Sequence, residues 1–266
     1  MSPVSLSYEF CASTDTGRVR ANNEDAVGVD AQAQLAMLAD GMGGYNAGEV
    51  ASTMAISFIR KEMTRWLAQV GPKVKPLELR RALEICVDNA NQAILGAAET
   101  NPMYAGMGTT LVVGVFQGPR LTLGHIGDSR CYRLRNGEVD QITRDHSWLQ
   151  EQVDAGLITQ QQAAVSASRN LVTRALGVEE LVLLEVNEFE VQADDLYLMC
   201  SDGLSEMVGE AELASLLTLR ISLEDKATRL IEAANANGGR DNISVVLAKA
   251  STGPRKQGLI SRLLRV

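Results

Sequence analysis

Aromatic residues are scarce in this 266-residue chain: Phe, Trp and Tyr together make up 4%. Val, Leu, Ile, Ala and Met must therefore fill its core. No apolar run approaches the roughly 18 residues that cross a bilayer. The opening MSPVSLSYEF has neither the basic start nor the long apolar stretch of a secretory leader, so none is expected. Positive charge is also short. With 25 Lys and Arg against 33 Asp and Glu, the formal charge is −8, which argues against an overall basic surface for nucleic acid. Zinc-type spacing is missing. Only two histidines occur, and Cys11, Cys86, Cys131 and Cys200 form no CxxC pair. Buried, reduced thiols in a cytoplasmic protein are the expectation.

What is present is acid in a particular place. Asp40 follows the apolar run LAMLA, Asp128 follows LTLGHIG, and Asp202 follows LYLMCS. Asp241 stands in GGRDN just before ISVVLA. Each run is short and β-compatible, so each Asp falls at a strand end. One Asp-Gly alone is an ordinary turn. Four strand-end aspartates over some 200 residues can converge if their strands share a sheet or sandwich. Such a cluster repels itself unless cations neutralise it. Oxygen-only ligands favour Mg²⁺ or Mn²⁺.

The organisation reads as one domain of strands with two separate helix pairs, an α+β layered fold. Strands are expected over 5–15, 26–40, 109–116, 120–127, 130–135, 138–142, 181–191, 195–201 and 243–249. Helices are expected over 46–69, 76–99, 209–218 and 222–236, with Gly44 and Asn46 as start signals for the first. Residues 145–177 are Gln-, Ala- and Ser-rich and read as a short helix followed by a mobile segment. A carboxylate site of this kind can hold metals that ionise a water and clamp a displacement at phosphorus. An Arg on the non-reacting oxygens would complete it. Arg20, with Arg18 nearby in the polar loop, is the candidate.

Eight segments carry a resemblance: TDTGRVRANNEDA (14–26), LADGMGGYNAGEVAS (38–52), MGTTLVV (107–113), HIGDSRCYRLRNGEV (125–139), ITRDHSWLQEQVDAGLI (142–158), RNLVTRALG (169–177), LYLMCSDGLSEMV (196–208) and GGRDNISVVL (238–247). In this order the chain resembles the bacterial metal-dependent serine/threonine protein phosphatases of the 2C type, over about nine tenths of its length. The resemblance implies a four-layer αββα sandwich, two antiparallel sheets flanked by helix pairs, spanning residues 1–250. It implies hydrolysis of protein phosphoserine and phosphothreonine by a water bridging two divalent cations, Mn²⁺ or Mg²⁺. By matching positions, Asp40 bridges both metals, Asp202 and Asp241 hold the first, and the Gly41 carbonyl binds the second. Glu24 acts through water, Asp25 orders the shell, Arg20 grips the phosphate, and Asn242 supports Asp241. Asp128 is the implied anchor of a third metal. A cognate Ser/Thr kinase is the implied counterpart, and a monomer is expected.

Three departures accompany the resemblance. Glu206 stands where Asp is usual at the third metal. Met42 replaces a His that in animal members serves as a proposed general acid. The flap, about 145–168, lacks a common His-Pro. His146 reads as a structural residue at the flap base, and His125 as a satisfied core residue. Two alternatives stay open: a regulatory binding module of the same fold, and a phosphatase of non-protein phosphoesters. The complete acidic set favours an enzyme. Residues 251–266 form a basic amphipathic tail, read as frayed or docked on the body rather than in contact with a membrane.

Overall fold

The computed structural model describes residues 6–44, 47–71, 74–164, 166 and 171–253. Strands β1 (Leu6–Asp15), β2 (Asp25–Asp30) and β3 (Leu35–Met42) precede two long helices, α1 (Ala47–Val70) and α2 (Pro76–Thr100). Next come β4 (Gly108–Thr109), β5 (Leu111–Gln117), β6 (Arg120–Ile126), β7 (Arg130–Arg135) and β8 (Glu138–Gln141). Short helices α3 (Trp148–Asp154) and α4 (Gln160–Ala164) lead to β9 (Glu185–Glu190) and β10 (Leu196–Cys200). The chain finishes with α5 (Asp202–Ser205), α6 (Glu210–Thr218), α7 (Leu223–Ala236) and β11 (Ile243–Thr252).

The strands form two antiparallel sheets, ordered β1-β11-β10-β7-β8 and β2-β3-β5-β6-β9, with β4 pairing β3. Successive side chains on a strand point to opposite faces. In β3, Leu35, Met37 and Ala39 therefore pack under α1 and α2, while Ala36 and Leu38 face the other sheet. In β11, Ile243, Val245 and Leu247 pack under α6 and α7, while Val246, Ala248 and Ala250 face across. Both faces of the central strands are covered, so their sequences read as unbroken apolar runs rather than alternating ones. The layers are helix, sheet, sheet, helix, as the resemblance implies. Four of the few aromatics gather at one place between the sheets. Phe116 lies 4.8 Å from Tyr8, 5.6 Å from Phe10 and 5.5 Å from Tyr197, centroid to centroid.

Several expected boundaries shift. The 26–40 run divides into β2 and β3 at a turn, where Asp30 Oδ1 accepts from the Gln32 and Ala33 amides. Residues 181–184 precede β9 outside the ladder. The 145–168 segment holds two short helices, the first capped by Ser147, whose side chain accepts from the Gln150 amide. Helix α1 begins at Ala47; Asn46 lies outside the described residues. Strand β11 continues through Ser251 and Thr252, into the segment assigned to the tail, while residues 254–266 lie outside the described residues. All four cysteines are free.

Candidate metal centre

The sandwich brings β2 and β11 to one edge by their first residues, and β3 and β10 by their last. Asp25 and Asp40 are cross-strand partners in the β2–β3 ladder. The backbone at Asp40 is fixed from Thr109 in β4 and from Thr110, which joins β4 to β5. Its N–H donates to Thr110 Oγ1 at 3.0 Å, and its carbonyl accepts from Thr110 N and Thr109 Oγ1, each at 2.9 Å. The Asp25 carboxylate is reached from the opposite sheet: Ser201 Oγ donates to Oδ2 at 2.8 Å. Asp25 Oδ1 is buried with no hydrogen-bond partner.

Gly41 sits where no side chain fits. A Cβ there would lie 2.1 Å from the Gly48 carbonyl oxygen and 2.5 Å from that of Glu24. The bare backbone lets the start of α1 lie against the end of β3, and Gly41 N–H donates to Glu24 O at 3.1 Å. Ser52, on α1, donates to the same carbonyl at 2.6 Å. Glu24 is therefore placed by three elements rather than by its own loop.

Asn242 ties the rest together. Its Oδ1 accepts from Glu24 N at 2.8 Å, and its Nδ2 donates to Thr16 O at 3.0 Å and Asn22 O at 2.9 Å. Its own N–H donates to Asp241 Oδ1 at 2.9 Å. The loop it clamps passes so near that a Cβ on Gly17, at φ +81°, would sit 2.2 Å from Asp241 O. Arg20 leaves this loop and donates to Asp241 Oδ2 at 2.6 Å, with its side chain half exposed.

Burial, then the charges of Asp25, Asp202, Asp128 and Asp241, holds Asp40 well above the ordinary carboxylate range. Asp202 is raised by burial and then by Asp128, Asp241 and Glu206. Burial likewise raises Asp25 against the opposing bonds from serines. Glu24 is raised by burial, with Arg20 acting against it. Each group is thus perturbed by the others. The sequence-predicted set Glu24, Asp25, Asp40, Gly41, Asp202 and Asp241 is assembled at one edge, with Arg20 at its mouth.

Asp128 belongs to an adjoining space. It is pushed up to about 6 by burial and by Asp145. With Asp202 and Glu206 it lines a cavity of about 360 Å³ closed on the far side by α3 and α4. Arg130 grips Asp145 through Nε (3.0 Å to each oxygen) and Nη2 (2.7 Å), so that wall carries its own counter-ion. Neither Arg130 nor Asp145 was singled out from sequence. Ser201 and Thr110 were missed as well. Their signal was weak: a single hydroxyl residue at the end or start of an apolar run.

The two histidines lie elsewhere. His125 Nε2 bonds Arg144 O at 2.8 Å, and His146 Nε2 faces Glu185 Oε2 at 3.3 Å. One ligand atom from each of His125, His146 and Glu185 lies within 4.8 Å of the others. Distance alone would allow an ion, but orientation does not. The rings stack at 4.6 Å with 14° between planes, so their in-plane lone pairs do not converge. Gly127 N–H donates to His146 Nδ1 at 3.2 Å, which places the ring proton on Nε2, toward Glu185. The trio is a structural brace in which His146 bonds Glu185 and His125 stacks on His146 while bonding Arg144 O. Both histidines are buried, as expected.

Facing sheets between helix layers, with carboxylates converging on one edge, define an αββα sandwich protein with an acidic site at that edge. The chain belongs to the protein phosphatase 2C family, whose pattern, "Protein phosphatase 2C", matches residues 16–247. It is 43% identical over 248 residues to the serine/threonine protein phosphatase PstP of Mycobacterium tuberculosis, covering 93% of this chain and 46% of PstP. The chain thus spans about half the length of that relative. It is 38% identical over 240 residues to the serine/threonine phosphatase stp of Listeria innocua, covering 89% of this chain and 93% of stp. The crystal structure of M. tuberculosis PstP/Ppp superposes with a TM-score of 0.81 at 43% identity, covering 91% of this chain and 98% of that one. The PstP catalytic domain in complex with two manganese ions gives 0.80 at 41% identity, covering 93% and 100%.

Proposed function

We propose that this chain is a protein-serine/threonine phosphatase that works with two divalent cations, Mn²⁺ or Mg²⁺. The observation that carries this reading is geometric: Asp25 and Asp40 are cross-strand partners at the sandwich edge where Asp202 begins α5, and a buried Asp25 oxygen there has no hydrogen-bond partner. Such a set is stable in ionised form only around cations, and its all-oxygen chemistry fits hard ions. Asp40 would be shared by both ions, Asp202 and Asp241 would hold one, and the Gly41 carbonyl the other. Glu24 and Asp25 would order the surrounding shell, and Asp128 would anchor a third ion with Glu206. When bound, the ions supply an activated water and neutralise the charge of an incoming phosphate.

The chain's own groups do the rest. Arg20, tethered by Asp241 but half exposed, is free to meet phosphate oxygens at the mouth of the site. Asn242 holds the loop that carries Arg20 and Glu24 at a fixed height above Asp241. Met42 has no proton to give a departing alkoxide, and both histidines are engaged in hydrogen bonds of their own, so a water at the site is the proposed donor. The physiological setting proposed is a cytoplasmic monomer opposing a bacterial Ser/Thr kinase. No described helix is long and apolar enough to cross a membrane.

The test is hydrolysis of a phosphothreonine peptide with Mn²⁺. We expect turnover that chelation abolishes and that Asp40→Asn or Asp202→Asn eliminates with the fold intact. Undiminished activity after chelation, or in either variant, would sink the reading.

A further inference from the structure

Next to the metal edge lies an apolar groove that the chemistry above does not use. It encloses about 250 Å³; Met42, Val178, Leu181 and Leu183 give it a largely apolar lining, with Arg174 and Glu179 as charged groups on its wall. Its rim is exposed to an unusual degree for large apolar residues: Val178 by 56%, Leu181 by 82% and Leu183 by 75%. Scattered surface leucines are ordinary, but a contiguous set lining a concavity marks a binding site.

The local sequence explains the exposure. Residues 181–184 run outside the sheet ladder just before β9. Val182 and Leu184 pack into the core beneath α1 and α2, while Leu181 and Leu183 point outward. The inward pair packs against the core; among the described residues the outward pair is left exposed. The segment that leads into the rim is tied to α2 by hydrogen bonds. Asn91, fully buried on α2, accepts from Gly177 N at 2.6 Å and donates to Glu179 O at 2.8 Å. Gln92 adds a bond to Glu180 O at 2.8 Å. A surface held in shape before binding loses little entropy on binding.

The groove is continuous with the proposed active site. Met42 lies two residues beyond Asp40, a span of at most about 7 Å. At Gly108, a Cβ would meet Met42 Cε and Val178 Cγ2, each at 3.0 Å, so the strand end that carries Asp40 and the rim share a wall. An extended peptide covers about 3.3 Å per residue. A phosphoresidue seated at Asp40 would therefore bring the side chains two to four positions away over this groove.

We propose that the groove formed by Met42, Val178, Leu181 and Leu183 binds an aliphatic side chain of the substrate protein, two to four residues from the phosphorylated Ser or Thr. This rests on the phosphatase reading. It makes the groove a specificity element, one that acts on KM for protein substrates and leaves small phosphoesters alone.

The experiment compares phosphothreonine peptides in an otherwise Gly-Ser background, with one Leu moved through positions −4 to +4, against p-nitrophenyl phosphate, all with Mn²⁺. The expected result is about a tenfold gain in kcat/KM at one or two positions, the effect of partly burying one leucine. The gain should vanish in Leu181→Ser/Leu183→Ser, with p-nitrophenyl phosphate turnover unchanged. No positional preference while p-nitrophenyl phosphate is hydrolysed would overturn the groove and leave the phosphatase reading standing. An equal loss on both substrates in the variant would also overturn it. So would self-association of the wild type that the variant abolishes, since the face would then belong to a second copy. Absence of turnover on every substrate would remove both readings together.

Discussion

Asp25 and Asp40 face each other directly across the β2–β3 ladder, two carboxylates in a position where like charges destabilise a sheet. The fold keeps them there by fastening their backbones and one oxygen, and leaves the remaining charge to be neutralised from outside. The cation-free protein is therefore strained at this edge. Asp40→Asn, which keeps both Thr110 backbone bonds, should raise the melting temperature of the chelated protein by about 2–5 °C at pH 8, equivalent to about 1 kcal/mol or slightly more. Adding Mn²⁺ should raise the wild-type midpoint and leave the variant's nearly still. Differential scanning fluorimetry with and without Mn²⁺ checks both. A variant that melts lower when chelated, or that Mn²⁺ stabilises equally, would contradict the assignment of this pair.

Arg20 is bound to Asp241 at 2.6 Å, yet more than half of its side chain is open to solvent. A group so placed is open to solvent at the mouth of the acidic edge and takes no part in the core. Arg20→Ala should raise KM for a phosphopeptide about tenfold, change kcat little, and leave the melting temperature within about 1 °C. Arg20→Lys should recover only part of the loss, since an ammonium cannot present a planar fork to phosphate. Steady-state kinetics beside a melting curve separates this from a structural effect.

The acidic edge was legible in the sequence because each Asp interrupts an apolar run, and such runs end where a sheet ends. The covered strands were legible for a related reason: LAMLA is apolar at every position and ISVVLA at all but Ser244, so both strand faces had to be covered, while the αββα sandwich itself was what the resemblance implied. What could not be read was the fastening. Asn242 bonds Thr16, Asn22 and Glu24, more than two hundred residues away in sequence, and no local pattern encodes that partner set. Of the two flap helices, only one was expected, and without bounds. Helix α3 presents no buried residue, so the 3.6-residue periodicity that reveals a packed helix has nothing to act on. The split of 26–40 rests on Gln34 at φ +54°, a conformation with no Gly or Asn to announce it.

That fastening can be measured. Asn242→Ala deletes three side-chain bonds and leaves the Thr16 and Asn22 carbonyls and the Glu24 amide without their partner. At about 1 kcal/mol or more for each group left unpaired, the cost is about 3 kcal/mol, or roughly 6–9 °C for a chain of this size. Because the loop also carries Arg20 and Glu24, the Mn²⁺ concentration for half-activation should rise in the same variant. Loss of stability with unchanged metal dependence would show that Asn242 supports the fold and not the site.

His146 offers a pH signature distinct from the metal edge. Burial, and then the neighbouring His125, lowers it to about 4 from an ordinary value of 6.5. The folded protein therefore refuses a proton that the unfolded chain accepts. Between pH 6.5 and 4 the unfolded state binds more protons, so stability conferred by this neutral ring is full above 6.5 and is lost as pH falls toward 4. His146→Gln lacks that titration. At pH 7 the variant should melt below wild type, because the bonds to Gly127 N and Glu185 are weakened or gone. As the pH is lowered to 4.5 the gap should narrow, since only the wild type loses this contribution. Melting curves of both proteins in EDTA, taken at half-unit steps, read the difference directly and cancel the carboxylates they share. A gap that stays constant, or widens toward acid, would mean that the ring is charged in the folded protein and the brace an ion pair.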